Sequence, residues 1–271
     1  MICRNATLAE VELMLSWAIE EGWNAGADDA VAFYAGDPDG FFVAEVDGAP
    51  VASISVVNHT NDFAFLGLYI CRPEHRGKGI GYALWQHALK HAGQRTVGLD
   101  GVPDQQANYA SSGFVWAGET RRFEGVISGA TGDGVRLAQP GDVPELTARE
   151  AEVTGVAKSS FNSEWFAEYE TRKTFVLEGT TAFATARQCQ AGTKIGPMIA
   201  ETVAQAETLI QHIASLFPAP MIIDVPTGSD ALAAWCEAQG MTVSFGTARM
   251  YRGAPPVTRP AVSAVSTLEL G

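Results

Sequence analysis

No stretch of this chain is apolar for the roughly twenty residues that a membrane-spanning helix needs; the longest apolar runs are strand-sized and broken by Gly, Asp or Asn. No membrane span is expected. Cysteine is sparse as well: Cys3, Cys71, Cys189 and Cys236 stand far apart with no C-x-x-C spacing, which argues against a zinc site or a disulfide frame and suits reduced thiols. Basic residues are outnumbered, 18 Lys and Arg against 31 Asp and Glu, for a formal charge of −13. Such a surplus repels a phosphate backbone, and no basic patch offsets it, so nucleic acid is not an expected partner and a cationic small molecule suits the chain better. Residues 1–10 lack the apolar block followed by small residues of a secretory signal, and a cytoplasmic protein is expected. A metal is not expected either. His87 and His91 are four apart on a helical pattern, but they lack the glutamate of H-E-x-x-H and a third ligand.

What is present is enough for one large core or two ordinary ones: 271 residues, 46% of them hydrophobic. Thr7 with Glu10 forms a capping-box pattern, and Val11, Met14, Leu15, Ala18 and Ile19 recur on one face of the helix it opens. A short helix over 28–34 follows, then a hairpin of strands over 41–46 and 51–57 around Asp47-Gly48, and a further strand over 63–71. Beyond a glycine-rich loop, Ile80, Ala83, Leu84, His87 and Ala88 set a helical period, and residues 96–100 return as a strand.

The second half repeats the first. Arg4-Asn5-Ala6 with Glu10-Val11 is echoed by Arg136-Leu137-Ala138 with Asp142-Val143, Leu99-Asp100 by Ile223-Asp224, and Gly113-Phe114 by Gly240-Met241. The run Arg121-Arg122-Phe123-Glu124-Gly125 has its counterpart in Arg249-Met250-Tyr251-Arg252-Gly253. Four matches in one order at nearly equal offsets imply two related domains, here 1–128 and 134–253. Residues 254–271, rich in Pro and then Ser and Thr, read as a loosely packed tail, laid across the first domain.

The segment that carries chemistry is Leu68-Tyr69-Ile70-Cys71-Arg72-Pro73-Glu74-His75-Arg76-Gly77-Lys78-Gly79-Ile80-Gly81-Tyr82, a strand delivering three close glycines to the start of a helix. Glycines tolerate positive φ and let amides crowd toward a ligand, while the helix N-terminus adds unpaired donors and the positive end of its dipole. A pyrophosphate fits such a cradle. A Walker A loop is disfavoured because Gly79, not Ser or Thr, follows Lys78; a dinucleotide loop is disfavoured because the spacing is G-x-G-x-G after an antiparallel meander.

The remaining pattern, R-x-x-G-x-G from Arg76 to Gly81, resembles motif A of the GNAT N-acetyltransferases, and Tyr109-Ala110-Ser111-Ser112-Gly113-Phe114 resembles that family's Y-x-x-x-G-F landmark. The likeness spans almost the whole chain, from Glu21-Gly22-Trp23-Asn24 to the closing Leu268-Glu269-Leu270-Gly271, and points to a tandem-GNAT subgroup. It implies an α+β fold: two GNAT-like domains in tandem, each a mixed, mostly antiparallel sheet flanked by helices, the pair mimicking a dimer within one chain. It implies acetyl-CoA as cosubstrate, its pyrophosphate on the amides of Arg76, Gly77, Lys78, Gly79, Ile80, Gly81 and Tyr82, its pantetheine arm on the backbone of Tyr69, Ile70 and Cys71. It implies Tyr109 as the acid that protonates the leaving thiolate. Where the family commonly has an Asn, seven residues before the Tyr, this chain has Val102, and Asn108 is the substitute.

Deprotonating an ammonium acceptor needs a base. Asp100 is the first candidate, with Asp62 and His59 behind it. For the acceptor, the resemblance points to the loop carrying Glu21, Trp23 and Asn24, an aromatic wall with a carboxylate that suits an organic cation. In the second half the position equivalent to the loop reads Lys194-Ile195-Gly196-Pro197-Met198-Ile199-Ala200, and Trp235-Cys236 stand where the Tyr would be. That half is expected to be a scaffold without CoA. The expected activity is acetyl transfer to a small-molecule amine in a ternary complex by a monomer or homodimer; a silent acyl-CoA sensor and a protein or peptide N-acetyltransferase stay open.

Overall fold

The first helix begins where its capping box places it. The Thr7 amide donates to the Glu10 carboxylate at 2.9 Å, Thr7 Oγ1 accepts from the Glu10 amide at 3.3 Å, and Arg4 forks onto the same carboxylate. The computed structural model describes residues 1–271. Its first half runs β1 (Ile2–Asn5), α1 (Leu8–Glu20), α2 (Asp29–Gly36), β2 (Phe41–Val46), β3 (Ala49–Asn58), β4 (Phe63–Cys71), α3 (Ile80–Ala92), β5 (Thr96–Gly101), α4 (Gln106–Ser111) and β6 (Val115–Gly125). The same series recurs as β7 (Val135–Leu137), α5 (Val143–Thr154), α6 (Ser159–Trp165), β8 (Arg172–Leu177), β9 (Phe183–Gln188), β10 (Thr193–Ala200), α7 (Val203–Leu216), β11 (Met221–Pro226), α8 (Asp230–Ala238) and β12 (Thr242–Arg252). One strand, β13 (Val262–Ala264), has no counterpart. No helix is long and apolar enough to cross a membrane.

The halves do not keep their own last strands. The sheet runs β1-β2-β3-β4-β5-β12-β6-β11-β10-β9-β8-β7, so β12 pairs with β5 and β6 pairs with β11. Each half thus completes the other's sheet. Two forked ion pairs mark the exchange: Arg249 reaches Asp100 at 2.9 and 2.7 Å, and Arg122 reaches Asp224 at 2.7 and 2.9 Å. The ladders set Arg122, not Arg121, as the counterpart of Arg249: Arg122 stands opposite Asp224 as Arg249 stands opposite Asp100.

Helices α1, α2, α5 and α6 share a single apolar cluster, in which Phe33 stacks on Trp165 at 6.2 Å and Phe161 on Trp165 at 4.8 Å. Separate clusters seat α3 and α7 on the sheet of their own halves. The tail is not loose. β13 pairs with β10 where β10 and β11 diverge, Val265 donates to the Asp224 carbonyl at 3.0 Å, and Thr267 and Leu270 are fully buried. The tail lies so close that a Cβ on Gly196 would stand 2.1 Å from the Val265 carbonyl oxygen, and one on Gly67 2.0 Å from that of Glu269. Only glycine admits such an approach.

Candidate active site

β4 and β5 run parallel from Phe63↔Thr96 to Leu66↔Leu99 and then part. At the parting β4 bulges: its register with β3 shifts between Ser53 and Ser55, and Leu68 takes φ 48°. A non-glycine residue in that region carries a cost of about 1–3 kcal/mol and marks a segment whose shape serves something other than stability. Ser53 holds the bulge by donating to the Leu68 carbonyl at 2.8 Å.

The loop after β4 delivers what its glycines promise. Gly77 and Gly79 have φ of 74° and 77°, and none of the amides of residues 77–82 donates to a backbone carbonyl. α3 begins there with Gly79 as its cap and no side-chain cap, so the first turn of the helix aims its free donors into a cleft of about 460 Å³. Tyr69, Ile70, Cys71, Arg76, Gly77, Gly79, Ile80, Gly81 and Tyr82 all line that cleft. Lys78 is exposed on the crown of the loop, and Arg76 is tied by its side chain to Glu21 and, at 2.8 Å, to the Cys71 carbonyl.

Past the cleft, and sharing Trp23, Tyr69, Val102 and Gln105 with it, lies an inner cavity of about 60 Å³. Tyr109 opens onto it, only 7% exposed. Its ring stacks on Trp85 at 5.6 Å and meets Phe114 edge-on at 6.4 Å. Burial, and secondarily the Tyr69 phenol, pushes the Tyr109 phenol well above the usual tyrosine value, so it keeps its proton and can only donate it. Burial likewise pushes Tyr69 up to about 12.

Several expected roles need correction. Asp100 is not a free base: its side chain is wholly enclosed, and both its oxygens are taken by Arg249. It walls the cavity instead. Asn108 is exposed on the outer side of α4 and donates to Gln105 Oε1 at 2.9 Å; Gln105 is the residue that faces the cleft. Of the three acceptor residues, Trp23 lines the inner cavity, Glu21 lines the cleft, and Asn24 lines neither. Asn24 exchanges two hydrogen bonds, 2.8 and 3.0 Å, with the backbone of Ala191, which makes it a clasp between the halves. His59 donates from Nε2 to the Leu270 carbonyl in the tail at 2.8 Å and is absent from the cavity wall. Arg122, Phe245, Thr247 and Glu269 line the cavity unforeseen; each comes from the exchanged strands or the tail, and the repeated Arg-containing strand ends were the single hint.

The second half closes the same site. Its strand β10 is the segment read as the loop's counterpart, and the true counterpart is Glu201-Thr202. There Thr202 Oγ1 caps the Gln205 amide at 3.3 Å while Gln205 Oε1 accepts from Glu201 and Thr202 at 2.9 and 3.3 Å. The donors that α3 leaves open are consumed in α7, and β13 fills the parting of the strands.

A splayed parallel pair, a bulge, an open helix start and a proton-bearing phenol, all on a sheet built by two like halves, define the class of acyl-CoA-dependent acyltransferases. Comparison with known proteins agrees. Residues 8–114 match the acetyltransferase (GNAT) family and residues 147–263 an acetyltransferase (GNAT) domain. Holothin acyltransferase of Pseudoalteromonas sp. (strain SANK 73390) is 34% identical over 98% of this chain and 93% of its own length. Among solved structures, a proposed acetyltransferase from Pyrococcus horikoshii aligns over 100% of this chain and 95% of its own with a TM-score of 0.84 at 18% identity. A GCN5-related N-acetyltransferase from Sphaerobacter thermophilus aligns over 96% and 98% with a TM-score of 0.61 at 14% identity. The chain belongs to the GNAT acyltransferase family, with two GNAT domains in tandem.

Proposed function

We propose that the protein moves a short acyl group, acetyl foremost, from its CoA thioester to the primary amine of a small molecule by direct attack in a ternary complex. The observation that carries this reading is the row of amides at 77–82 that donate to no backbone carbonyl and open onto a cleft that leads to the Tyr109 phenol. Those donors suit a pyrophosphate. The parted edge of β4, Tyr69 to Cys71, offers a pantetheine arm backbone to pair with, and its end would bring the thioester to the inner cavity. That cavity is small, which favours acetyl over a long acyl chain, and it is covered by Trp23, β12 and the tail, which favours a small acceptor over a peptide.

The test is release of CoA thiol from acetyl-CoA against a panel of holothin, tryptamine, spermidine, kanamycin, glycine amide, a short peptide and aniline. Holothin is included because of the relative that carries its name. Turnover with at least one small amine, and none with the peptide, is the expected result; no turnover despite tight binding of acetyl-CoA would leave a sensor. Gly79→Val supplies the matching control. Valine is strained by about 1–2 kcal/mol at positive φ, so the loop relaxes and binding must restore it, and affinity for CoA measured by calorimetry should fall by about tenfold or more. Equal affinity would mean the loop does not hold the cofactor.

A further inference from the structure

The cavity beside Tyr109 contains a carboxylate without a partner. Glu269, in the tail, is 5% exposed, lines the cavity, and has an enclosed Oε2 that no donor reaches. Its charge favours the protonated forms of three neighbours, Arg122, Arg187 and Lys194. All three are engaged elsewhere: Arg122 forks onto Asp224, Arg187 pairs with Asp29, and Lys194 donates to the Trp23 carbonyl at 2.8 Å. The remaining titratable groups of the wall are Tyr69, Tyr109 and Asp100, the last bound by Arg249. An enclosed carboxylate lacking a direct counter-charge is strongly unfavourable, and a chain that keeps one has left room for a cation.

The backbone sets this side chain with care. The tail passes flush over Gly67, beside the β4 bulge. Thr267 Oγ1 accepts from the amides of Glu269 and Leu270 at 3.1 and 2.9 Å, and His59 lies 2.8 Å from the Leu270 carbonyl. Glu269 is therefore held in a pinned turn at the strand that would face the thioester.

We propose that Glu269 is the base of the acceptor site: the incoming ammonium is its missing partner and surrenders a proton to it. The inference rests on the acyltransferase reading above. With one proton passed to Glu269, the nitrogen lone pair forms a C–N bond to the thioester carbonyl carbon. The C–S bond then breaks, the sulfur leaves with its electron pair and takes the proton of the Tyr109 phenol, and the second proton of the nitrogen restores the phenol. Glu269 gives its proton to water, so each turnover yields an amide, a CoA thiol and one proton.

Glu269→Gln tests this in the full chain with acetyl-CoA and the panel above. Expected is a loss of about 10²- to 10⁴-fold in kcat/KM at neutral pH for the amines that are protonated there, with acetyl-CoA affinity unchanged and a melting temperature no lower than that of wild type. Aniline, already neutral, should lose far less, which a merely structural role would not produce. In the variant the rate should climb with pH in proportion to the free amine, and Glu269→Asp should recover part of the loss. Equal rates for wild type and Glu269→Gln, or equal losses with aniline and the protonated amines, would overturn the assignment of the base and leave the acyltransferase reading intact. A wild type that neither binds acetyl-CoA nor turns over any amine would overturn both.

Discussion

Tyr109→Phe is expected to cut kcat by about 10²- to 10⁴-fold, the usual worth of a positioned general acid, while acetyl-CoA binds as before. The substitution removes one oxygen and keeps the ring that stacks on Trp85 and meets Phe114 edge-on, so packing and melting temperature should hardly change. What disappears is the proton for the leaving sulfur. Because burial raises the phenol above its ordinary value, the wild-type rate should show no descending limb up to about pH 10, where a solvent-exposed tyrosine ionises. Stopped-flow release of CoA thiol measures the chemical step, and calorimetry measures binding. A variant as fast as wild type would remove Tyr109 from the mechanism and leave it as a packing residue of the α3 cluster.

How much of this was legible without coordinates follows from what kind of contact each feature uses. The capping box at Thr7 and the loop of Gly77 and Gly79 are local: their partners lie within a few residues, and backbone chemistry at fixed spacing is what a sequence displays well. Tyr109 was legible for the same reason, through its spacing to Gly113. The ion pair of Asp100 was hidden because its partner Arg249 is 149 positions away and reaches it only through exchange of the last strands, a pairing that no periodicity reveals. The contact of Asn24 was hidden likewise, its partner Ala191 standing 167 positions off. The tail looked loose because Pro, Ser and Thr are common in disordered ends, yet β10 offers it an unpaired edge and Gly67 and Gly196 offer it room. The internal repeat was visible, but its register at the Arg-bearing strands was off by one: adjacent Arg121 and Arg122 both offer a match to Arg249, and only the ladders show that Arg122 faces Asp224 as Arg249 faces Asp100.

Arg249→Met should cost about 3–5 kcal/mol, because it leaves Asp100 enclosed with its counter-charge gone. At about 2–4 °C per kcal/mol for a chain of this size, that is a fall of roughly 6–20 °C in melting temperature. Adding Asp100→Leu should recover most of it, since replacing both charges by apolar side chains removes the stranded carboxylate. The backbone ladder from Arg252↔Val97 to Ala248↔Gly101 does not depend on the pair, so the double variant should still exchange its strands and should keep turnover within about tenfold of wild type if Asp100 takes no proton from the acceptor. The double-variant cycle thus separates two roles for one carboxylate. Stability restored with activity kept makes Asp100 the clasp of the exchanged strands; stability restored with activity lost by the full factor of a general base would return it to the chemistry and displace Glu269.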